Sequence, residues 1–139
     1  MPRDLHHGIK ASRAISPVSA APTGNTPIVS QICDTAGFRS TEFVLLTGNI
    51  EDADITTVLL FEDGDDASLS DYAAVADAYL LGTELLAAYA YGDDNTTKKI
   101  GYIGPKRYVR VTITPSNNSG NNPIAGVWVQ SDPILAPQA

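Results

Sequence analysis

The sequence contains a single cysteine, Cys33, so an internal disulfide is excluded. Its position in a predicted strand favours a small buried apolar side chain over a reactive thiol. No apolar run approaches the roughly 20 residues of a membrane-spanning helix. No continuous apolar segment follows the basic N-terminus, so we expect neither a membrane partner nor a secretory signal. Aromatic residues make up only 7% of the 139 residues, but 43% are hydrophobic, which fits one globular domain with one core.

The sequence also lacks the motifs of common enzyme classes: G-x-S-x-G, G-x-G-x-x-G and the Walker motif. The two histidines, His6 and His7, are adjacent, so they point in different directions and chelate a metal poorly. An EF-hand loop that begins at Asp63 would need Glu at its twelfth position, where the sequence has Ala74. A loose ion site at Asp63–Asp66 remains an alternative to a solvated turn. We expect no enzyme activity, no catalytic residues, no metal site and no cofactor.

Basic residues are scarce, and they flank an acidic middle segment. The net charge of −7 argues against nucleic-acid binding. No Lys or Arg lies between Arg39 and Lys98, a segment that holds thirteen Asp and Glu residues. Five cations and no acid follow between Lys98 and Arg110. Three more cations precede the acidic segment near the N-terminus: Arg3, Lys10 and Arg13. This polarity suits contacts between protein surfaces or between copies of one protein.

Runs of β-branched and alternating residues indicate an all-β protein. In 107–114, Val109, Val111 and Ile113 share one face, so one side of this strand packs on a core and the other meets solvent or a partner. Asp63-Gly64 is a hairpin signal between two apolar runs. The predicted strands are 28–34, 41–47, 54–62, 98–103, 107–114 and 124–130, with more within 67–91. About eight strands predict a jelly-roll-like β-sandwich.

Residues 1–27 have little hydrophobic periodicity and contain three prolines, Pro17, Pro22 and Pro27. Proline disfavours both helix and central strand. We therefore predict an extended N-terminal arm over residues 1–27 and a β-sandwich domain over residues 28–139. Residues 5–14 of the arm have a second interpretation as an edge strand.

Residues 67–91 are ambiguous. Their Ala, Leu and Glu content favours a helix over Thr83–Tyr91, while Gly82 interrupts it at a cost of roughly 1 kcal/mol. The flanking segments are strands at the spacing of a sandwich, which favours strands here as well. Strand is the preferred interpretation, and the choice between strand and helix for residues 72–91 stays open.

The basic segment 98–110 has two interpretations. Its cations either pair across the sheet with the acidic middle, at roughly 0–1 kcal/mol for each surface pair, or form an interface patch with nearby tyrosines, since Tyr and Arg are enriched in interfaces. Trp128 is either a core residue or a partner anchor. The candidate capsid or dimer interface residues are Arg3, Lys10, Arg13, Tyr102, Lys106, Arg107, Tyr108, Arg110 and Trp128.

Two segments resemble a known family. KKIGYIGPKRYVRVTIT, which is preceded by LLGTE and followed by a polar loop and GVWVQSDP, is similar to the capsid cement, or decoration, proteins of tailed bacteriophages. The basic opening PRDLHHGIKASRAISPV is similar as well, so the resemblance covers residues 1–135. It implies a jelly-roll-like domain, often dimeric, on the outside of an HK97-like capsid. The family carries no catalytic motif, so no active-site residues are implied.

The resemblance implies a virion structural protein that bridges neighbouring major capsid subunits and stabilises the expanded shell. The expected partners are the major capsid protein and a second copy in a homodimer, with no nucleic acid. The expected location is the capsid exterior, after assembly in the host cytoplasm.

Three alternatives remain open. A carbohydrate- or receptor-binding β-sandwich module would need an exposed aromatic platform. A small hydrolase or metal-dependent enzyme would need a cleft with a strongly shifted acid or histidine. Another head, neck or tail structural protein would share the fold without the bridging role.

Overall fold

The computed structural model describes residues 3–17 and 24–134, which form two antiparallel β-sheets packed face to face. The strands are β1 (Ile9–Ile15), β2 (Ile28–Val29), β3 (Cys33–Asp34), β4 (Phe38–Thr47), β5 (Thr56–Gly64), β6 (Ala73–Ala74), β7 (Leu80–Leu81), β8 (Thr97–Tyr102), β9 (Tyr108–Ser116) and β10 (Ile124–Pro133). An α-helical turn, α1, spans Glu84–Ala87, and 3₁₀ turns span His6–Gly8 and Asp77–Tyr79. None of the helices within the described ranges is long and apolar enough to span a bilayer.

Sheet A has the strand order β1-β10-β4-β8-β7, and sheet B has the order β2-β9-β5-β6, with β3 also paired to β9. Strands that are distant in the chain are neighbours in both sheets, as in a jelly roll. This confirms the prediction of an all-β, jelly-roll-like sandwich. The described residues hold ten strands where the sequence predicts about eight, because four of them, β2, β3, β6 and β7, contain only two residues each.

The core lies between the sheets and is built by the predicted alternation. Val109, Val111 and Ile113 on β9 are fully buried, as predicted. Phe43 on β4 and Trp128 on β10 lie in register in sheet A, with their ring centroids 5.2 Å apart. Aromatic pairs at such distances contribute about 0.5–1.5 kcal/mol beyond their buried area. The core interpretation of Trp128 is therefore correct.

The predicted strand 28–34 is interrupted by a change of partner. Ser30 bonds across sheet B, where its backbone N–H donates to the Val111 carbonyl and its hydroxyl accepts from the Val111 N–H. The next residue, Gln31, instead donates its N–H to the Ala14 carbonyl of β1, and its own carbonyl accepts from Trp128 Nε1. The chain thus bridges the two sheets between β2 and β3. Periodicity within the segment carries no signal for these long-range bonds.

Residues 67–91 form neither long strands nor a long helix. Thr83 caps α1 by accepting the Leu86 N–H, but α1 ends after one turn. The Thr57 hydroxyl on β5 accepts the Tyr89 N–H and donates to the Tyr89 carbonyl, both at buried positions. These two bonds occupy the backbone groups that a longer helix would need, and Ala88 is already extended. The predicted strands and the predicted helix over Thr83–Tyr91 are therefore both longer than the elements that form.

The prediction of a tight hairpin at Asp63-Gly64 is also wrong. β5 and β6 are antiparallel neighbours, but Asp63 lies inside β5 and the chain runs through residues 65–72 before it returns. Asp66 folds this loop by accepting the backbone N–H groups and the hydroxyls of Ser68 and Ser70. A Cβ at Gly64 would collide with the Asp71 carboxylate. This close approach, and not a two-residue turn, is what requires glycine here.

Part of the predicted arm belongs to sheet A. Residues 9–15 form β1, which pairs with β10 from Ile9 opposite Ser131 to Arg13 opposite Val127. The edge-strand interpretation of residues 5–14 is thus realised over Ile9–Ile15. Residues 1–2, 18–23 and 135–139, which the sequence assigns to the arm and to the domain's C-terminal tail, lie outside the described residues.

Candidate protein-interaction surfaces

The candidate interface residues lie in three separate places. One group lies at or just before the start of β9 in sheet B: Lys106, Arg107, Tyr108 and Arg110. Arg3, Lys10 and Arg13 lie in or near β1, at the edge of sheet A. Tyr102 and Trp128 are buried between the sheets. The sequence groups the basic residues of 98–110 with the tyrosines around them, but the fold does not keep them on one surface.

The first two basic residues of the 106–110 group each pair with an acid that is distant in the chain. Arg107 donates two hydrogen bonds of 2.9 Å to the Asp34 carboxylate, from Nε and Nη2, and its guanidinium lies 5.1 Å from the Tyr108 ring centroid. The hydrogen bond from Arg107 lowers the pKa of Asp34 and raises that of Arg107. Lys106 pairs with Asp65 at 3.1 Å.

Arg110 is the most enclosed of these cations. Its Nε lies 3.2 Å from Glu62 Oε1, the partner directly opposite it on β5. The exposed fractions of the two side chains are 22% and 11%. The guanidinium also lies 4.8 Å from the Tyr72 ring centroid, which covers it. Lys106 and Arg110 therefore pair with acids of the acidic middle, whereas Arg107 pairs with Asp34, which precedes that segment.

Tyr102 is a structural residue and not a surface contact, with an exposed fraction of 4%. Its hydroxyl donates to Asp63 Oδ2 at 2.6 Å and so joins β8 of sheet A to β5 of sheet B. The same oxygen accepts the Lys106 N–H at 3.2 Å, which holds the turn before β9. Burial, and then the bond to Asp63, raise the Tyr102 pKa. The interface assignment is wrong for the side chains of Tyr102 and Trp128, because both are buried.

The cations near β1 are differently placed. Arg3, Lys10 and Arg13 are exposed, and none has an acidic partner within 4.0 Å in the described part of the chain. Lys10 lies 6.0 Å from the Phe38 ring centroid. A shallow groove of about 370 Å³ beside β1 is lined by Arg13, Ile15 and residues of β10. This edge offers unpaired positive charge next to apolar surface.

Neither a motif nor a charge cluster in the sequence marks Glu42. It lies in the apolar run TEFVLLT on β4 and points away from the core, since its neighbours Thr41 and Phe43 are buried. The outer face of sheet A around it is largely apolar, with Val44 beside Val127 and Leu46 beside Ala125. A single acid at an outward position of such a strand is a signal that alternation alone could have found.

The outer face of sheet A has a shallow cavity of about 180 Å³ at Glu42. Its rim and walls include Leu81, Ile103 and Val129, together with two serines, Ser40 and Ser131. Burial raises the pKa of the Glu42 carboxyl, and Lys99 partly opposes the shift.

The acidic turn and the thiol show no sign of a reactive centre. Among the described residues, no group of three or more His, Cys, Asp or Glu side chains is placed to hold a metal ion. Cys33 is buried, as predicted, and burial raises its pKa to about 12, which disfavours the reactive thiolate.

Comparisons with known proteins give a fold likeness. No family model and no curated protein matches the chain. The structure is similar to one described as the capsid of Ralstonia phage GP4, with a TM-score of 0.51 and 13% identity over 97% of this chain and 90% of that chain. It is also similar to the Clostridium thermocellum xylanase 10B CBM22-1–GH10 modules, with a TM-score of 0.45 and 12% identity over 96% of this chain and 28% of that chain. A third similar structure is the SPBc2 prophage-derived protein YomS, with a TM-score of 0.40 and 11% identity over 87% of this chain and 92% of that chain. At these identities the likeness concerns the fold alone, and the last two are too distant to support an argument.

Proposed function

We propose that this protein is a structural component of a tailed-phage virion. It would bind the outside of an HK97-like capsid as a cement protein, bridge neighbouring major capsid subunits and stabilise the expanded shell. The observation that supports this most directly is the two-sheet sandwich, which is similar over 97% of the chain to a phage capsid structure. The sequence resemblance to cement proteins points to the same role and extends over the arm and the β9 segment.

Bridging explains how modest contacts would suffice. When one copy holds two capsid subunits, the second contact is intramolecular and has a high effective concentration. Separating the subunits then also requires breaking the contacts of the bridge. A homodimer on a two-fold axis would repeat each contact by symmetry. The role needs surfaces but no reaction centre, and we propose that the protein is not an enzyme.

The distribution of paired and unpaired charge favours sheet A as the shell-facing side. The cations of β9 in sheet B are already bound to acids of the same chain. Arg13, on the edge strand of sheet A, has no acidic partner within 4.0 Å in the described ranges. Unpaired surface charge beside apolar area is what electrostatic steering toward an oppositely charged patch requires.

The carbohydrate-binding alternative cannot rest on Trp128 or Tyr102, although the rings of Tyr72, Tyr79 and Tyr91 are exposed. Stacking on a sugar needs exposed rings, but Trp128 and Tyr102 have exposed fractions of 1% and 4%. Trp128 packs against Phe43, and its Nε1 donates to the Gln31 carbonyl. Neither ring is accessible to a ligand in this fold.

Cosedimentation with purified capsids tests the proposal. We expect the protein to pellet with expanded capsids at near-physiological salt and to remain in solution with unexpanded ones. Arg13→Gln should weaken binding, because it removes an unpaired cation from the edge of sheet A. Arg39→Gln is the matched control, since Arg39 already pairs with Asp132 at 3.5 Å. If the wild-type protein does not bind expanded capsids, the cement role is lost.

A further inference from the structure

Two neighbouring rows of outward side chains on sheet A contain one acid, two cations and otherwise uncharged residues. A register row runs across four strands, with Arg13 on β1, Val127 on β10, Val44 on β4 and Lys99 on β8. The next row contains Ala11, Val129, Glu42, Gly101 and Leu81. The only carboxylate in these two rows is therefore Glu42, and it lies near the middle of the face.

Glu42 has no protein partner in the part of the chain that the structure describes. No ion pair within 4.0 Å and no hydrogen bond reaches its carboxylate from the described residues. Gly101, directly opposite on β8, provides the space for it, since a Cβ there would lie 2.6 Å from Glu42 Oε2. Leu81 closes over the same position from β7. A partly desolvated carboxylate without a protein partner is less favourable than a paired one, so a donor from another protein would stabilise it.

We propose that the cavity at Glu42 binds an arginine side chain that a partner protein presents. The carboxylate would accept the guanidinium, the hydroxyls of Ser40 and Ser131 offer further acceptors at the rim, and Leu81 and Ile103 would pack on the aliphatic stem. That the partner is a capsid protein rests on the function proposed above. The cavity and its preference for arginine do not depend on it.

Arginine fits this cavity better than the other available cations. Its planar guanidinium carries five donors, so it can bond a carboxylate and hydroxyls together, whereas lysine is a compact and strongly hydrated charge. Lys99 of the same chain lies one row away, opposite Val44, and forms no ion pair with Glu42. A second copy is a less suitable occupant of this cavity, because three of its five arginines, Arg39, Arg107 and Arg110, already pair with acids of their own chain.

The test is an NMR titration of the isotope-labelled protein with N-acetyl-L-arginine amide. We expect saturable shifts of the amides of Glu42, Gly101 and Leu81. The matched ligand is N-acetyl-L-citrulline amide, which has nearly the same shape without the charge and should cause no saturable shift. Glu42→Gln should reduce the affinity for arginine by about tenfold, since hydrogen bonds between charged groups are of that strength. Asp54→Asn removes one exposed acid elsewhere and should leave binding unchanged.

A second variant distinguishes a lost binding site from a lost fold. Gly101→Ala keeps the charge but displaces the carboxylate, so it should also weaken arginine binding while the amide spectrum stays dispersed. Shifts scattered over all acidic segments, or equal shifts in the Glu42→Gln variant, would overturn the proposal. If arginine binds as expected but Glu42→Gln pellets with expanded capsids like the wild type, the assignment of the capsid as partner fails and the cavity stands. A wild-type dimer in analytical ultracentrifugation that Glu42→Gln dissociates would overturn the choice of partner.

Discussion

At the residue scale, Tyr102 shows how one side chain can join both sheets. Its ring fills part of the core while its hydroxyl acts as donor to Asp63 and as acceptor for the Lys106 N–H. Gly104 packs against the same hydroxyl, since a Cβ there would lie 2.5 Å from it. The position therefore needs both a ring and a hydroxyl, which only tyrosine supplies. In sequence it resembles an interface tyrosine beside cations, because nothing local marks the distant Asp63.

Tyr102→Phe should lower the free energy of unfolding by about 1–3 kcal/mol, because it leaves the buried Asp63 without its donor. Urea denaturation followed by tryptophan fluorescence measures the change. Tyr91→Phe is the matched control, since Tyr91 is half exposed and should behave as wild type. Equal stability of Tyr102→Phe and Tyr91→Phe would contradict the structural role of this hydroxyl.

The pH dependence gives a second signature for the same residue. The folded-state pKa of Tyr102 is raised above the ordinary value of 10.0, chiefly by burial and then by Asp63. The stability that it contributes is complete below that value and is lost as the pH rises through the folded pKa. Burial also raises the pKa of Tyr89 to about 12, so it acts in the same direction. The wild type should lose more stability above pH 10.0 than Tyr102→Phe does.

At the element scale, local alternation identifies the long strands and long-range bonds decide where they stop. β4, β9 and β10 are recognisable in sequence because each buries every second residue over most of its length, and β5 does so over residues 56–61. The inward face of β10 is not recognisable, since Trp128 and Val127 are both apolar and only the packing with Phe43 decides between them. The end of α1 depends on Thr57, 32 residues away from Tyr89. No window of sequence contains both partners.

Thr57→Val should release the segment that follows α1. The valine has nearly the same shape, but the buried N–H and carbonyl of Tyr89 lose their partner, at a cost of about 1–3 kcal/mol. Hydrogen exchange measured by NMR should show faster exchange at Tyr89 and over Glu84–Ala87 than in β9. Thr56→Val, one residue earlier on the exposed face of β5, should leave both stability and exchange unchanged. Unaltered exchange at Tyr89 in Thr57→Val would show that the helix ends for another reason.

At the scale of the whole molecule, the acids and cations that look segregated along the chain are brought together by the sheet register. Glu62 meets Arg110 because β5 and β9 are antiparallel neighbours, although 48 residues separate them. Composition predicts the two charge segments but not their partners. The same limit applies to Glu42. Alternation places it on the outer face, but only the neighbouring strands show that it has no partner within residues 3–17 and 24–134.

Acid should unfold the protein through its hydrogen-bonded carboxylates. The bonds from Ser68 and Ser70 lower the pKa of Asp66 from 3.8 to about 2. Asp34, Asp52 and Asp71 are shifted in the same direction. Their stabilisation is present above the ordinary value of 3.8 and is lost as the pH falls through the folded values. Glu42 has the opposite effect on the pH dependence of stability, since burial raises its pKa.

Urea midpoints measured as the pH falls from 3.8 to about 2 test this window. The wild-type midpoint should fall, and Asp66→Asn should start lower and fall less, because its amide neither titrates nor accepts as strongly. Asp54→Asn removes the same charge from an exposed carboxylate with no hydrogen bond to its side chain in the described residues, and it should follow the wild type. A parallel fall in all three proteins would assign the acid sensitivity to net charge instead.

The pairing of β1 with β10 has a mechanical consequence. Ile9 faces Ser131, so the N-terminal end of one strand and the C-terminal end of the other lie side by side. A tension that pulls these two ends apart acts along the interstrand hydrogen bonds and across the strands. The hydrogen bonds would then break one after another, because only the bond nearest the pulled ends carries the tension at any moment. If the molecule were held at these two strand ends, a small force would separate the strands. If it were held through the broad faces of its sheets, many contacts would have to break at the same time.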